Sequence, residues 1–246
     1  MEEENAIVVK AVTDTAKAAG AIKGRLLEHG EVLVKCMAGS AAVYQALKGV
    51  CRATRFLKKE GITGKSVTIR PYIIEDDFDG HFRSGSGKPG QRMIFHAKLT
   101  DTKEAKKMLK ESVVGNTWVH GLARAIEAWV QDPKKEGRVL IPCELGSAGA
   151  NQALKAIAML NQFLMKDAPG KIVTIQPEIL EDENVRGQKI GRMCLHALYQ
   201  DEEDFVVVAA NVIVIIVVVI VVVDEEDNHN DDTNNNNSNH LGPCVI

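Results

Sequence analysis

The run Val32-Leu33-Val34-Lys35-Cys36-Met37-Ala38-Gly39-Ser40-Ala41 returns 107 positions later as Val139-Leu140-Ile141-Pro142-Cys143-Glu144-Leu145-Gly146-Ser147-Ala148. Carried on to Lys59 and Lys166, the alignment spans 28 positions, of which 13 are identical. After a one-residue deletion, Lys65–Asp76 matches Lys171–Asp182 at 8 of 12 positions. Arg92-Met93 and His96-Ala97 then match Arg192-Met193 and His196-Ala197. Three collinear blocks mark a tandem duplication, and a period of about 100 residues means two domain-sized copies rather than a solenoid. The copies are placed at 6–100 and 107–200, followed by a tail at 201–246.

Each copy has a readable order. Ile7–Val12 is a short apolar run and reads as a strand. Thr15–His29 has helical composition, with Gly30 just beyond its end as a stop. Val32–Met37 is β-branched and bounded by glycines, so it reads as a second strand. Ser40 is placed to cap a helix running to about Lys59. Within that helix Val43, Leu47, Val50, Thr54 and Leu57 step by four and three residues, which marks a buried face. Ser66–Glu75 and Arg92–Thr100 read as strands joined by a long Gly-rich loop, a hairpin. Copy two follows with a strand at Met108–Val113, a helix at Thr117–Gln131, a strand at Val139–Cys143 and a helix at Ser147–Lys166. Its hairpin is Lys171–Leu180 with Met193–Tyr199. The expected fold class is α/β, a two-layer α+β arrangement of tandem βαβαββ domains.

The stretch Leu145-Gly146-Ser147-Ala148-Gly149-Ala150-Asn151-Gln152-Ala153-Leu154-Lys155-Ala156-Ile157-Ala158 resembles the signature of the stage V sporulation protein S family, roughly G-x-G-A-x-N-Q-A-V-K-A-I-A after a βαβ start. Gly39 to Gly49 is a more degenerate copy, with Val43-Tyr44 in place of Ala-Asn. The resemblance extends over nearly all of both copies and implies the Alba-like fold, whose members bind DNA or RNA, commonly as dimers. It therefore implies a nucleic-acid-binding module. It also implies that the two copies could pair within one chain as an internal pseudo-dimer, or that the chain self-associates.

Several residues fit that expectation. Lys48, Arg52, Arg55 and Lys59 step by four, three and four along the helix, opposite its apolar stripe. Four cations on one face would neutralise phosphates and give salt-dependent, sequence-tolerant affinity. The same face reads as an ordinary solvated one if no ligand is present. In copy two these positions are Lys155, Met159, Gln162 and Lys166, so half the stripe is lost. The hairpin loop of copy one supplies Arg83, Lys88 and Arg92, with Phe82 as a stacking ring. That of copy two supplies Arg186, Lys189 and Arg192. In Alba-like proteins this hairpin is a basic arm, although Glu75, Asp76, Asp77 and Asp79 at its base, and Glu181-Asp182-Glu183 in copy two, oppose phosphate. Helix entries at Gly39 and Gly146 could hold an anion on exposed N–H groups. Alba proteins place an Arg in that turn, whereas this chain has Met37-Ala38 and Glu144-Leu145, so both glycines read first as turn residues.

Composition narrows the alternatives. The formal charge of −3 conceals an uneven distribution. Residues 1–100 hold 16 basic and 11 acidic side chains, 101–200 hold 14 and 12, and 201–246 hold 10 acidic and no Lys or Arg. An apolar fraction of 45% excludes a wholly disordered chain, and 4% aromatic content argues against a surface of many stacked rings. The five cysteines show no CxxC spacing, so neither a disulfide framework nor a zinc site is expected. No cofactor is expected either. His96 and His196 recur in the last strand without a repeated nucleophile or acid, and Cys36 and Cys143 read as small core residues, so the chain is expected not to be an enzyme. The N-terminus lacks the regions of a secretory signal, which implies a cytoplasmic or nuclear location.

Phe205–Val223 holds one polar residue, Asn211, and is long enough for a C-terminal membrane anchor. Its Val/Ile content, acidic flanks and Asn-rich continuation favour instead a biased low-complexity extension prone to β-association. The competing functional reading is a protein-interaction or scaffold module, tethered or free, that keeps the fold without binding nucleic acid.

Overall fold

Asp14 starts the first helix. Its carboxylate accepts the backbone N–H groups of Ala16 at 2.6 Å and Lys17 at 3.1 Å, meeting two of the donors that every helix start leaves unpaired. Gly30, at φ 77°, ends the helix in the left-handed conformation, its N–H bonded to the Leu26 carbonyl. The computed structural model describes residues 6–37, 39–76, 90–105, 107–144, 146–183 and 189–205. Copy one runs β1 (Ile7–Val9), α1 (Thr15–His29), β2 (Glu31–Cys36), α2 (Ser40–Lys59), β3 (Lys65–Asp76) and β4 (Gly90–Asp101). Copy two runs α3 (Val119–Val130), β5 (Arg138–Pro142), α4 (Ser147–Asp167), β6 (Lys171–Glu183) and β7 (Lys189–Asp201).

Three expectations change. Met108–Val113 is not a strand; it touches β5 only at two parallel bridges, Met108 with Leu140 and Val113 with Cys143. Pro142 stands where copy one has Lys35 and has no N–H to give, so the ladder breaks there. The chain leaves over Lys110–Ser112 and returns where Val113 N–H meets the Pro142 carbonyl at 2.8 Å. The helix expected at Thr117–Gln131 is two residues shorter at its start, because Trp118 in the cap position makes no capping bond. Ser40 is not the cap of α2 but its first residue; Gly39, at φ 103°, occupies the cap position. Gly146 does the same for α4 at φ 111°, a backbone conformation that costs a side-chain-bearing residue dearly.

The seven strands form one sheet in the order β1-β2-β4-β3-β6-β7-β5. Both hairpins are antiparallel, pairing from Lys65–Asp101 to Asp76–Gly90 and from Lys171–Asp201 to Glu183–Lys189. The copies join where β3 meets β6, in a single register pair, Ile69 with Ile175. These two residues occupy the same position in the repeat. So do Ser40 and Ser147, whose hydroxyls lie 3.2 Å apart at the starts of α2 and α4.

Strand residues that enter the core, such as Val32, Val34 and Cys36, alternate with ones that do not, so the helices share one face of the sheet. Residues of all four helices belong to a single apolar cluster, within which Phe95, Ile69, Leu47, Leu154 and Ile126 are fully buried. Repeated side-chain contacts tie each copy together in the same way. Gln45 donates to the Ala11 carbonyl at 3.1 Å and Gln152 to that of Gly115 at 3.0 Å. Thr54 and Asn161 accept the N–H groups of Val67 and Val173 at 3.1 and 2.7 Å. All described residues fall within one compact unit, Met1–Phe205. Among the described residues no helix is long and apolar enough to cross a membrane. The tail from Val206, with its anchor and β-association readings, lies outside the described residues.

Candidate nucleic-acid interface

The cations of α2 stand as their spacing predicts. Arg52, Arg55 and Lys59 are exposed, and Lys48 is half-buried with its ammonium 4.9 Å from the centre of the Tyr44 ring. Arg55 is also used internally: it donates to the Ile179 carbonyl of β6 at 3.3 Å, a bond between copies. On α4, Lys155 is half-buried and Lys166 exposed, with Met159 and Gln162 between them.

Arg92 and Lys155, which the sequence places in different copies, come together. They line one cleft with Gly39 and Ser40 at the start of α2, Asn151 of α4 and Ile73 of β3. Arg92 comes from β4 of copy one and Lys155 from α4 of copy two. The first N–H groups of α2, a helix of 20 residues, open beside them. Such a helix start carries roughly half a positive charge, and the two cations add to it. Among the described residues lining this cleft none is acidic. By contrast, the neighbouring cleft under Arg55 and Lys58 contains Glu104 and Glu178.

Arg83, Lys88, Phe82 and Arg186 lie outside the described residues, as do Asp77 and Asp79. Lys189 opens β7, paired with Glu183. Arg192 is half-buried in the same strand, opposite Leu180.

The histidines have acidic partners after all, but different ones. His96 Nε2 lies 2.9 Å from Glu31 Oε2 of β2, and His196 Nε2 lies 3.0 Å from Glu178 Oε2 of β6. The counterpart of Glu31 is Arg138 and that of Glu178 is Tyr72, so the two pairs arose separately. Burial pushes the His96 imidazole below its usual range, against the opposing pull of Glu31. His96 shares its face of the sheet with Arg70, which is bound to Glu202 at 2.6 Å. Cys36, Cys51 and Cys143 are buried free thiols, and burial pushes each up to about 12. No thiolate nucleophile forms there near neutral pH. No group of three or more metal-ligating side chains occurs among the described residues.

Residues 5–85, from before β1 to beyond β3, match the family model for stage V sporulation protein S. Over those residues the chain is similar to that family. No curated protein matches the chain. Within the matched segment lie Gly39, Ser40, Ile73 and the α2 stripe, while Arg92 of β4 and Asn151 and Lys155 of α4 lie outside it. Sequence reading missed this assembly, since no spacing tells which faces of two copies meet. It also missed an apolar slot on α3, although its signal, Trp118 and Trp129 eleven residues apart, was visible.

Proposed function

We propose that the chain binds the backbone of DNA or RNA with low sequence preference, using the two copies as an internal pseudo-dimer. The observation that carries this reading is the cleft in which Arg92 of copy one and Lys155 of copy two converge on the start of α2, with no acidic side chain among the described residues of its lining. A phosphate seated there would take charge-assisted hydrogen bonds from both side chains and from helix N–H groups. Arg52 and Lys59, exposed along the same helix, extend the positive surface for further phosphates. Copy one is the stronger half, because Glu144 precedes the start of α4 and two of the four cations are missing there. Contacts of this kind position a strand without reading bases. Fluorescence anisotropy with labelled single- and double-stranded oligonucleotides at low salt tests the reading. Arg92→Ala with Lys155→Ala should weaken binding at least tenfold. Equal affinity in the double variant would remove the cleft from the interface.

A further inference from the structure

Helices α1 and α3 align position by position through their buried residues: Ala18, Ala19, Ile22 and Leu26 match Leu122, Ala123, Ile126 and Val130. On the outer face the same alignment shows three replacements. Asp14, Lys17 and Arg25 of copy one become Trp118, Gly121 and Trp129 in copy two. The helix has given up its capping carboxylate and two cations for two indoles and a glycine. The trade removes the side-chain cap and leaves Trp118 exposed, while Trp129 packs half-buried against the core.

The result is an open slot of about 480 Å³. Trp118 and Trp129 stand at its ends, Gly121 and Ala125 form its floor, and Leu109 and Val113 its wall. The indoles are eleven residues apart on one helix, so about 16 Å separates them along the axis. Trp118 is 74% exposed. Its ring passes close to the helix, where a Cβ on Gly121 would sit 2.6 Å from Trp118 Cε3 and 3.1 Å from Cζ3. The glycine thus makes room for the ring, which stays largely open to solvent. A chain of rings continues from it: Trp118 to His120 at 6.3 Å, His120 to Phe163 at 5.7 Å, with the Arg124 guanidinium 4.4 Å over Phe163. Lys110 stands at the slot, as does Glu111, and Glu127 is held by Arg124 at 2.7 Å. The start of α4 links the slot to the cleft. Gln152 donates to the carbonyls of Gly115 and Thr117, and lies on α4 between Asn151 and Lys155 of that cleft.

We infer that the Trp118 slot of copy two is a stacking platform for unpaired bases of a single-stranded nucleic acid whose backbone runs through the neighbouring cleft. This rests on the nucleic-acid reading above and adds to it a division of labour: copy one holds phosphates, copy two stacks bases. Rigid rings with an open face bind every base by its π-surface, which keeps recognition sequence-tolerant. Duplex ends excepted, paired bases cannot reach the slot, so the platform confers a preference for single strands.

The test uses the full chain with a fluorescein-labelled oligo(dT) or oligo(rU) and a duplex of equal length, at low salt. Trp118→Ala should weaken single-strand binding about 5- to 150-fold, the loss of one stacked base, and leave duplex binding unchanged. Trp118→Phe should restore most of the single-strand affinity. Wild-type tryptophan fluorescence should be quenched by the single strand and that quenching lost in Trp118→Phe. If Trp118→Ala binds single strands as tightly as wild type, the platform is refuted while the backbone reading stands. If wild type binds neither oligonucleotide, both fail. If Trp118→Ala loses instead an apolar peptide selected on the wild-type chain, with oligonucleotide binding intact, the slot belongs to a protein partner and the inference is overturned.

Discussion

Gly149 and Gly20 both sit inside helices, and the structure predicts opposite effects of replacing them with alanine. A Cβ on Gly149 would lie 2.3 Å from the Val113 carbonyl oxygen, 3.2 Å from its carbon and 3.3 Å from the Glu144 nitrogen. All three are backbone atoms, so no side chain can swing aside. The first distance is about 1 Å short of van der Waals contact, and the oxygen in question already accepts Glu144 N–H at 2.9 Å. Overpacking of this kind costs about 1–3 kcal/mol, and weakening that hydrogen bond about 1 kcal/mol more. Helix propensity returns about 1 kcal/mol. The net loss is about 1–3 kcal/mol, and with about 2–4 °C per kcal/mol for a domain of this size the midpoint should fall by about 2–12 °C. Around Gly20, in α1, nothing lies within 4 Å of the added atom. Gly20→Ala should therefore gain the propensity term alone, about 1 kcal/mol, and raise the midpoint by about 2–4 °C. Thermal unfolding followed by circular dichroism measures both. A rise for Gly149→Ala comparable to that for Gly20→Ala would refute the close approach of the Val113 segment to α4.

Two further outcomes follow from single side chains. Asp14→Ala removes both capping bonds of α1 and should lower the midpoint by about 2–4 °C; the corresponding Trp118→Asp should raise it, because α3 has no side-chain cap. His96 resists protonation in the folded state because it is buried, so the unfolded chain takes up its proton first as pH falls. Its contribution is fully present above the usual imidazole value of 6.5 and is lost on acidification below it. His96→Gln should flatten the decline in midpoint between pH 7 and pH 5, and an unchanged decline would show that other groups produce it. Glu31, Lys98 and Arg70 face this histidine.

Much of the fold is written locally. Asp14, Gly30, Gly39 and Gly146 mark helix ends through chemistry that acts within a few residues, and β3 and β6 end close to where their alternation stops. The strand expected at Met108–Val113 failed because Pro142, in the neighbouring strand, withholds one hydrogen bond. That effect is legible only once the two segments are known to pair. The phosphate cleft was beyond sequence reading for the same reason. Arg92 and Lys155 were each identifiable as cations of a repeat, but their meeting depends on Ile69 pairing with Ile175 and Ser40 with Ser147. Equivalence of positions suggests such a pairing; the packing of two edge strands decides it. Trp118 went unnoticed because its significance lies in what it replaced, an N-cap, and helix registers had to be matched by buried residues first.

The central claim is that phosphates bind in the cleft between the copies. Its most direct measurement is the slope of log affinity against log salt for the full chain on a duplex oligonucleotide, in wild type and in the Arg92→Ala, Lys155→Ala double variant. Each phosphate contact contributes about 0.9 to that slope on duplex and about 0.7 on single strands. The account predicts affinity that falls steeply with salt, and a slope reduced in magnitude by about 0.9 in the double variant, which loses the one phosphate held by both side chains. A wild-type chain that binds no DNA or RNA at low salt, or a double variant with the wild-type slope, would contradict it; the former would favour the interaction-module reading.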